Sequence, residues 1–510
     1  MRRLFEVLFI MILTLSSCSE KHAEHPFKDI TYDDLAKFRN ADYIISPRRV
    51  NAVIDSIRTA ERDTDYIDIM TNRYYAEHGS YLWIDHWGID ARTDTLISWL
   101  QEAQKGGIPS GKFRMDKIEK NLRQLQTGDY SGRQTISQTL GSLEYYLTKS
   151  YMRYCRGERF GYINPKKIYN RLEHQEADDE NSPYKLLLDI PIDMIDEAFI
   201  TQARQSQQNG QMQSFRESIL PTSELYHILY KELQQPGLTT EKRKKAFVNL
   251  ERSRWRQKQK KERKEVVVNL PSQQLQATNS KGDTLSMKVC IGSSAHKTPL
   301  LTSHITHLEL NPYWIIPLSI VKREVASHAG DEEYFEQRRY EIIDKQNGEI
   351  VESGEHLTER MLASGRYTVR QKKGEGNSLG RMIFRLPNNS AIYLHDTNNP
   401  AAFRRTSRLL SHGCVRLERP FELAVFLLEE KDEEYIDRIR LALDLPPQTD
   451  QGKKWKEKDE GALSRCNFKE EIPVSLIYYT CYPTSGDRNV TYYTDVYHYD
   501  DAIWKHLNQN

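Results

Sequence analysis

EVVVNLPSQQLQATNS, Glu265–Ser280, is where the texture of this 510-residue chain changes. β-Branched residues cluster here between Asn, Pro and Ser, which predicts strand rather than helix. DTLSMKVCIG, Asp283–Gly292, repeats the pattern, and NSKGD between the two is a hairpin signal. Downstream, LTSHITHLELNPYWIIP (Leu301–Pro317), NSAIYLHD (Asn389–Asp396), IPVSLIYYTCYP (Ile472–Pro483) and NVTYYTDVYHYD (Asn489–Asp500) read as further strands. RPFELAVFLLEE, Arg419–Glu430, reads as a short amphipathic helix. From Asp331 to about Glu375 the sequence is charged and less regular, as an inserted subdomain or lid would be.

Upstream of Glu265 the texture is helical. TLISWLQEAQKGGIPSGKF places Leu96, Leu100 and Ala103 on one face and stops at Gly106-Gly107 with a proline beyond. SLEYYLTKSYMRYCRGERFGYINP has an aromatic-rich apolar face that ends at Gly161 and Pro165; Met152, Cys155 and its tyrosines read as core. The fold class is therefore α+β: a helical N-terminal domain, then a mainly-β domain with an insertion. No repeat and no long low-complexity tract interrupts it.

Charge is nearly balanced, at a formal +1, which argues against a general polyanion-binding protein and predicts no nucleic-acid partner. The densest basic run starts with KRKK at Lys242–Lys245 and continues to Lys264. Phe247 and Leu250 at helical spacing within it make a solvated helix face the simpler reading. The chain opens MRRLFEVLFIMILTLSSCSE, whose apolar run Val7–Leu15 follows two arginines and is too short to span a bilayer. It has the marks of a secretory signal peptide, and Leu15-Ser16-Ser17-Cys18 resembles a bacterial lipobox, which would lipidate Cys18. The expectation is an extracytoplasmic protein, lipid-anchored to a bacterial membrane and facing the periplasm. Beyond Cys18 stand Cys155, Cys290, Cys414, Cys466 and Cys481, an odd number that leaves at least one thiol unpaired within the chain. No C-x-x-C pair exists, so a structural zinc knuckle is not expected.

LHDTNNPAAFRRTSRLLSHGCVRLE, Leu394–Glu418, gathers His395, His412 and Cys414. Three readings compete: a nucleophile with its base, a metal site, or packing. A thiol attacks carbonyls only as thiolate, and an adjacent imidazole can take its proton. Gly413 lets backbone N–H groups approach a developing oxyanion. Zinc could use the same side chains with Asp396, but one residue between His412 and Cys414 is closer than paired ligands usually stand. A papain-like arrangement places the cysteine first and the histidine far downstream, the reverse of the order here.

SHGCVR with an upstream histidine resembles the signature of the YkuD-domain L,D-transpeptidases, and IYLHDTNNPAAF resembles a segment of their large scaffold-bearing, YcbB-like branch. VNLERSRW, VVVNLPSQQL, KTPLLTSHITHLELNPYWIIPLSI, YYLTKSYMRYCRGERFGYINP and YLWIDHWGIDARTDTLISWLQEAQKGGIP extend the likeness over about Tyr81 to Tyr499. The leader reads as a lipoprotein signal peptide over 1–18 and the polar, mixed stretch 19–62 as a tether that runs into a first helix; the resemblance implies a helical scaffold domain over 63–256. It implies a catalytic domain over 257–430 with a capping insertion at about 318–380, then a C-terminal extension, 431–510, whose strands pack on both domains. The peptidoglycan-binding module that this branch usually inserts between scaffold and catalytic domain has no counterpart, since only Pro236–Arg243 separates the corresponding helices.

By the same resemblance Cys414 would attack the third, diamino acid residue of a peptidoglycan tetrapeptide stem, releasing D-alanine and leaving a thioester. His395 would be the base, with the Asp396 carbonyl holding its ring. Gly413 and Cys414 N–H groups would form the oxyanion hole with Tyr393 as helper, and His412 would shape the pocket. Arg416 would orient the turn or pair with a substrate carboxylate; Trp314 and Tyr313 either line the donor groove or are core aromatics. No cofactor and no metal is implied. An amine acceptor would give 3-3 cross-links, water an L,D-carboxypeptidase, and a protein lysine a wall anchor; a wall-binding scaffold lipoprotein is the non-enzymatic alternative. Expected partners are stem peptides, the membrane through Cys18, and cell-wall synthesis proteins. Carbapenem acylation of the thiol is a corollary.

Overall fold

The computed structural model describes residues 39–40, 43–44, 46–85, 88–127, 135–174, 183–256, 264–353, 356–483 and 489–508. The leader and Cys18 lie outside them. Helix α1 (Pro47–Ala60) starts where Ser46 accepts a hydrogen bond from Arg49 N and Pro47 fills the first turn. Its Val50 and Ile54 are buried against Ile136, Leu140 and Tyr145. Residues 47–60, expected within the tether, are thus part of the helical domain; each of those two side chains stabilises it by roughly 1.5–3 kcal/mol. The first helix that the tether is expected to run into begins at Pro47, earlier than residue 63, because Ser46 and Pro47 start it there.

Helix α2 (Arg92–Lys105) buries Leu96, Leu100 and Ala103 and ends at Gly106. Gly107 follows at φ 97°, where a Cβ would stand 2.5 Å from the Phe247 ring. Helix α3 (Ile136–Phe160) opens on a Thr135/Gln138 capping box and is buried along most of its length, Met152 and Cys155 included. Helix α4 (Thr240–Ser253) leaves Lys242 and Arg243 in solvent at its start but buries every residue from Ala246 to Arg252, so the solvated face expected for the basic run holds only in the first turn, and Arg252 and Arg254 are buried. Its far end is tied to the C-terminal helix, α5 (Tyr499–Asn508), by a buried Arg252–Asp500 pair at 2.5 Å.

The β-rich half is built on a ten-stranded sheet. β1 (Glu265–Asn269), β2 (Gln274–Thr278) and β3 (Thr284–Gly292) form a meander. Glu265–Ser280, expected as one strand, is therefore two; the chain reverses at Gln273, whose φ of 53° is left-handed. β4 (Leu300–Leu310) is the long strand on which the capping subdomain is hung. That subdomain has its own sheet of β5 (Trp314–Ile315), β6 (Tyr340–Asp344), β7 (Ile350–Val351) and β8 (Tyr367–Gln371), in the order β5-β8-β6-β7. Ile316, Val325, Phe335, Leu362 and Val369 make a core separate from the main one.

Back in the main sheet come β9 (Met382–Arg385), β10 (Leu394–His395), β11 (Leu409–Ser411), β12 (Val415–Leu417) and β13 (Arg465–Ile477). β9 pairs with β10 on one edge and with β4 on the other, so the sheet closes on itself. Two expectations need correction. β13 runs between β1 and β4, parallel to one and antiparallel to the other, so the first strand of 431–510 is built into the main sheet rather than packed on it. Of Asn489–Asp500 only Val490–Tyr492 is strand, because Asp495 accepts from Tyr499 N and Asp500 N and starts α5 instead.

Candidate active site

β10 lies parallel to β12, with Leu394 opposite Val415 and His395 opposite Arg416. Leu394 and Val415 are fully buried on the core side. Side chains alternate along a strand, so His395, Arg416 and Cys414 fall together on the other face. Only Leu394–His395 of the expected strand Asn389–Asp396 is extended. Asn388 Oδ1 accepts from Ser390 N and Ile392 N, folding the approach into a turn that holds Ala391 at φ 52°. That turn brings the Ala391 carbonyl within 3.8 Å of the Cys414 Sγ.

His395 is buried, and its Nδ1 faces the Leu379 carbonyl at 3.3 Å. An acceptor there assigns the ring proton to Nδ1 and leaves Nε2 as the basic nitrogen. Burial first, and then the Arg416 charge, push the imidazole down to about 4, against the smaller support of the Leu379 and Asp396 carbonyls. The ring is therefore neutral throughout the physiological range. The thiol of half-buried Cys414 is pushed up by desolvation, opposed by the Tyr393 backbone N–H and by the charges of Arg416 and Arg385. The resting site thus holds a neutral thiol and a neutral imidazole.

The turn that carries the thiol is braced from inside. Ser411 Oγ donates to the Cys414 carbonyl at 2.5 Å, and Thr298 Oγ1 donates to the Gly413 carbonyl at 2.7 Å while accepting from Gly292 N at 2.9 Å. Tyr497 Oη in turn accepts from Thr298 N and donates to the Gly292 carbonyl. Gly413 sits at φ 120°. Its N–H is donated to Ser411 Oγ at 3.1 Å, so the expected oxyanion contribution from that group is already engaged within the turn. The Cys414 N–H has no hydrogen-bond partner among the described residues.

The remaining expected residues divide. Tyr393 lies under the Arg385 guanidinium, 4.6 Å from the ring centre, while Asp396 accepts from Arg381 N at 2.8 Å. Arg416 reaches the same face with a buried Nε that has no hydrogen-bond partner among the described residues. His412 turns outward to Glu324 Oε1 of the cap, at 2.9 Å, and its ring lies 4.7 Å from that of His296. His395, His412 and Cys414 therefore do not form a group close enough to share one ion. Trp314 packs on the cap's own core, and Tyr313, 36% exposed, lies under Arg370 at 4.0 Å. All five cysteines from Cys155 to Cys481 are free thiols. Sequence reasoning missed Thr298, Leu379, Glu324 and Tyr497; only Thr298, a polar residue leading into an apolar strand, carried any local signal.

Residues 263–436 match the L,D-transpeptidase catalytic domain, YkuD, and residues 69–233 match the Scaffold domain. The chain carries a YkuD-family L,D-transpeptidase catalytic domain behind a scaffold domain. A protein of Haemophilus influenzae named "Putative L,D-transpeptidase" is 29% identical over 245 residues, 47% of this chain. The match covers 45% of that relative, so the chain spans less than half its length. The YkuD match runs from the β1 side of the sheet past Cys414 and stops at Ile436, short of β13. The strand that completes the YkuD sheet thus lies outside the matched span.

Proposed function

We propose that this protein is a peptidoglycan L,D-transpeptidase, lipid-anchored through Cys18 in an extracytoplasmic space. The observation that carries the reading is the β10–β12 pair, which puts a thiol and a neutral, carbonyl-oriented imidazole on one face of a YkuD domain. Cys414 Sγ adds to the carbonyl carbon of the stem's third residue as His395 Nε2 takes the thiol proton. The Cys414 N–H faces the developing oxyanion. Collapse breaks the peptide bond, the departing D-alanine amine receives the proton from His395, and a thioester remains. The amine of a second stem then attacks the thioester, a 3-3 cross-link forms and the thiol returns. Arg416, with its unpartnered Nε, is suited to a substrate carboxylate.

Intact-mass spectrometry tests this with a soluble form incubated with disaccharide tetrapeptide, beside a Cys414→Ala control. A mass gain matching the stem less D-alanine, with cross-linked dimer in solution, is the expected result. Tripeptide without dimer makes the enzyme an L,D-carboxypeptidase or leaves protein attachment as its transfer reaction. A folded protein with a free Cys414 and neither adduct nor product overturns the enzymatic reading in favour of a wall-binding scaffold.

A further inference from the structure

Away from the thiol, the helical domain holds a cleft of about 680 Å³, within the size range of pockets for small ligands. The segment Glu61–Asp68, the second half of α3 and the stretch Tyr162–Arg171 wall it. Glu61 and Asp63 close on the fully buried Lys149, the latter at 2.6 Å, and Asp68 is gripped by Arg153 through two bonds of 2.8 and 2.7 Å. These carboxylates are already neutralised. Arg156, mostly buried, approaches half-exposed Asp65 at 3.7 Å and lies in the field of buried Glu251, whereas exposed Lys167 and Arg171 make no ion pair among the described residues.

Lys112, half-buried in the same cleft, has its ammonium group disfavoured first by burial and then by Arg153 and Arg156, against the smaller support of Asp65 and Glu251. Like charges gathered in a concave, partly dry site raise the local concentration of an opposite charge. Tyr66 and Met194 at the rim are 38% and 45% exposed and offer apolar contact beside the cations. Asp65 at the mouth tells against a densely charged polyphosphate.

We propose that this cleft is a second, non-catalytic binding site in which Arg156, Lys167 and Arg171 hold the free carboxylates of peptidoglycan stem peptides. It rests on the reading of the protein as a peptidoglycan enzyme. Guanidinium groups pair with carboxylates through two parallel bonds, and the apolar rim covers the peptide between them. The site grips the wall polymer while Cys414 works on a stem elsewhere along it.

Co-sedimentation with purified sacculi tests the cleft without turnover, using the Cys414→Ala chain as parent. Adding Arg156→Glu, Lys167→Glu and Arg171→Glu to it is expected to weaken pelleting about tenfold or more, with the parent's dependence on salt lost. Amidating the sacculus carboxylates is expected to release the parent to the same level. Because three reversals could disturb folding, Lys167→Gln with Arg171→Gln, both exposed, serves as a second variant and is expected to fall between. Pelleting unchanged by the substitutions or by amidation overturns the proposal, as does a preference for anionic phospholipid vesicles over sacculi. With Cys414 restored, the same charge variants should turn over soluble disaccharide tetrapeptide at the parental rate; a parallel loss would also overturn it. Absence of turnover in every chain, with pelleting still charge-dependent, would count against the transferase reading and leave the cleft standing.

Discussion

Replacing Thr298 by Val keeps the shape of a fully buried side chain and deletes one hydroxyl. That hydroxyl donates to the Gly413 carbonyl at 2.7 Å and accepts from Gly292 N at 2.9 Å. Leaving a buried donor or acceptor unsatisfied costs roughly 1–3 kcal/mol per group. Thr298→Val should therefore destabilise the YkuD domain by about 2–6 kcal/mol, the two backbone groups together. Thr298→Ser keeps both bonds and loses one methyl, about 0.8 kcal/mol. Urea denaturation measures the difference, and acylation by disaccharide tetrapeptide, followed by intact mass, measures its effect on the turn. The Val variant should acylate more slowly than the Ser variant even where both are fully folded, because the Gly413 carbonyl no longer fixes the peptide that leads into Cys414. Val and Ser variants equal in stability to within about 0.5 kcal/mol, with equal acylation, would refute the brace.

In the proposed mechanism the imidazole of His395 can act as base only when neutral, and burial lowers it to about 4. Acylation should stay flat as pH falls through 6.5 and drop only on approaching 4; a fall centred at the ordinary histidine value would contradict the burial argument. The same depression makes the folded state resist protonation that the unfolded chain accepts, so stability conferred by His395 is present above about 6.5 and lost as pH falls toward 4, which an acid titration of His395→Asn against the parent would expose. Gly413→Ala meets Ile392 Cδ1 at 3.2 Å from a φ of 120° and should lower stability by about 1–3 kcal/mol and suppress acylation, read by melting and intact mass. Glu324→Ala removes an exposed pair worth at most about 1 kcal/mol, so the melting temperature should hardly move. Hydrogen exchange over Val321–His328 should nevertheless rise, and unchanged exchange would mean that His412 does not hold the cap.

The segment that holds His395 and Cys414 stands out in the sequence because chemistry-bearing residues crowd it, and a thiol with two imidazoles admits few uses. The helical domain was legible where the apolar period is long, as in α3, and illegible in α1, where two buried residues decide the packing. The bracing of the turn was hidden for a different reason. Thr298, Gly413 and Tyr497 are far apart in the chain and meet through backbone groups, which leave no side-chain pattern. Gly413 was correctly singled out as special, but the special feature is its φ, and its N–H is used inside the turn. The strand expected over Asn389–Asp396 failed where Asn388 offered the backbone a local turn, a competition that β-propensity does not register.

β13 is the strand between β1 and β4, and Tyr497, some twenty residues later, touches the bonds that set the thiol's turn. During synthesis, β1 and β4 must wait with open edges until Arg465–Ile477 has been made. A chain cut short anywhere before Arg465 would own Cys414 and His395 yet lack the wedge that closes the barrel around them. Cys414 is in this sense licensed by a strand made well after it, and a nonsense fragment carrying SHGCVR should be insoluble or inert.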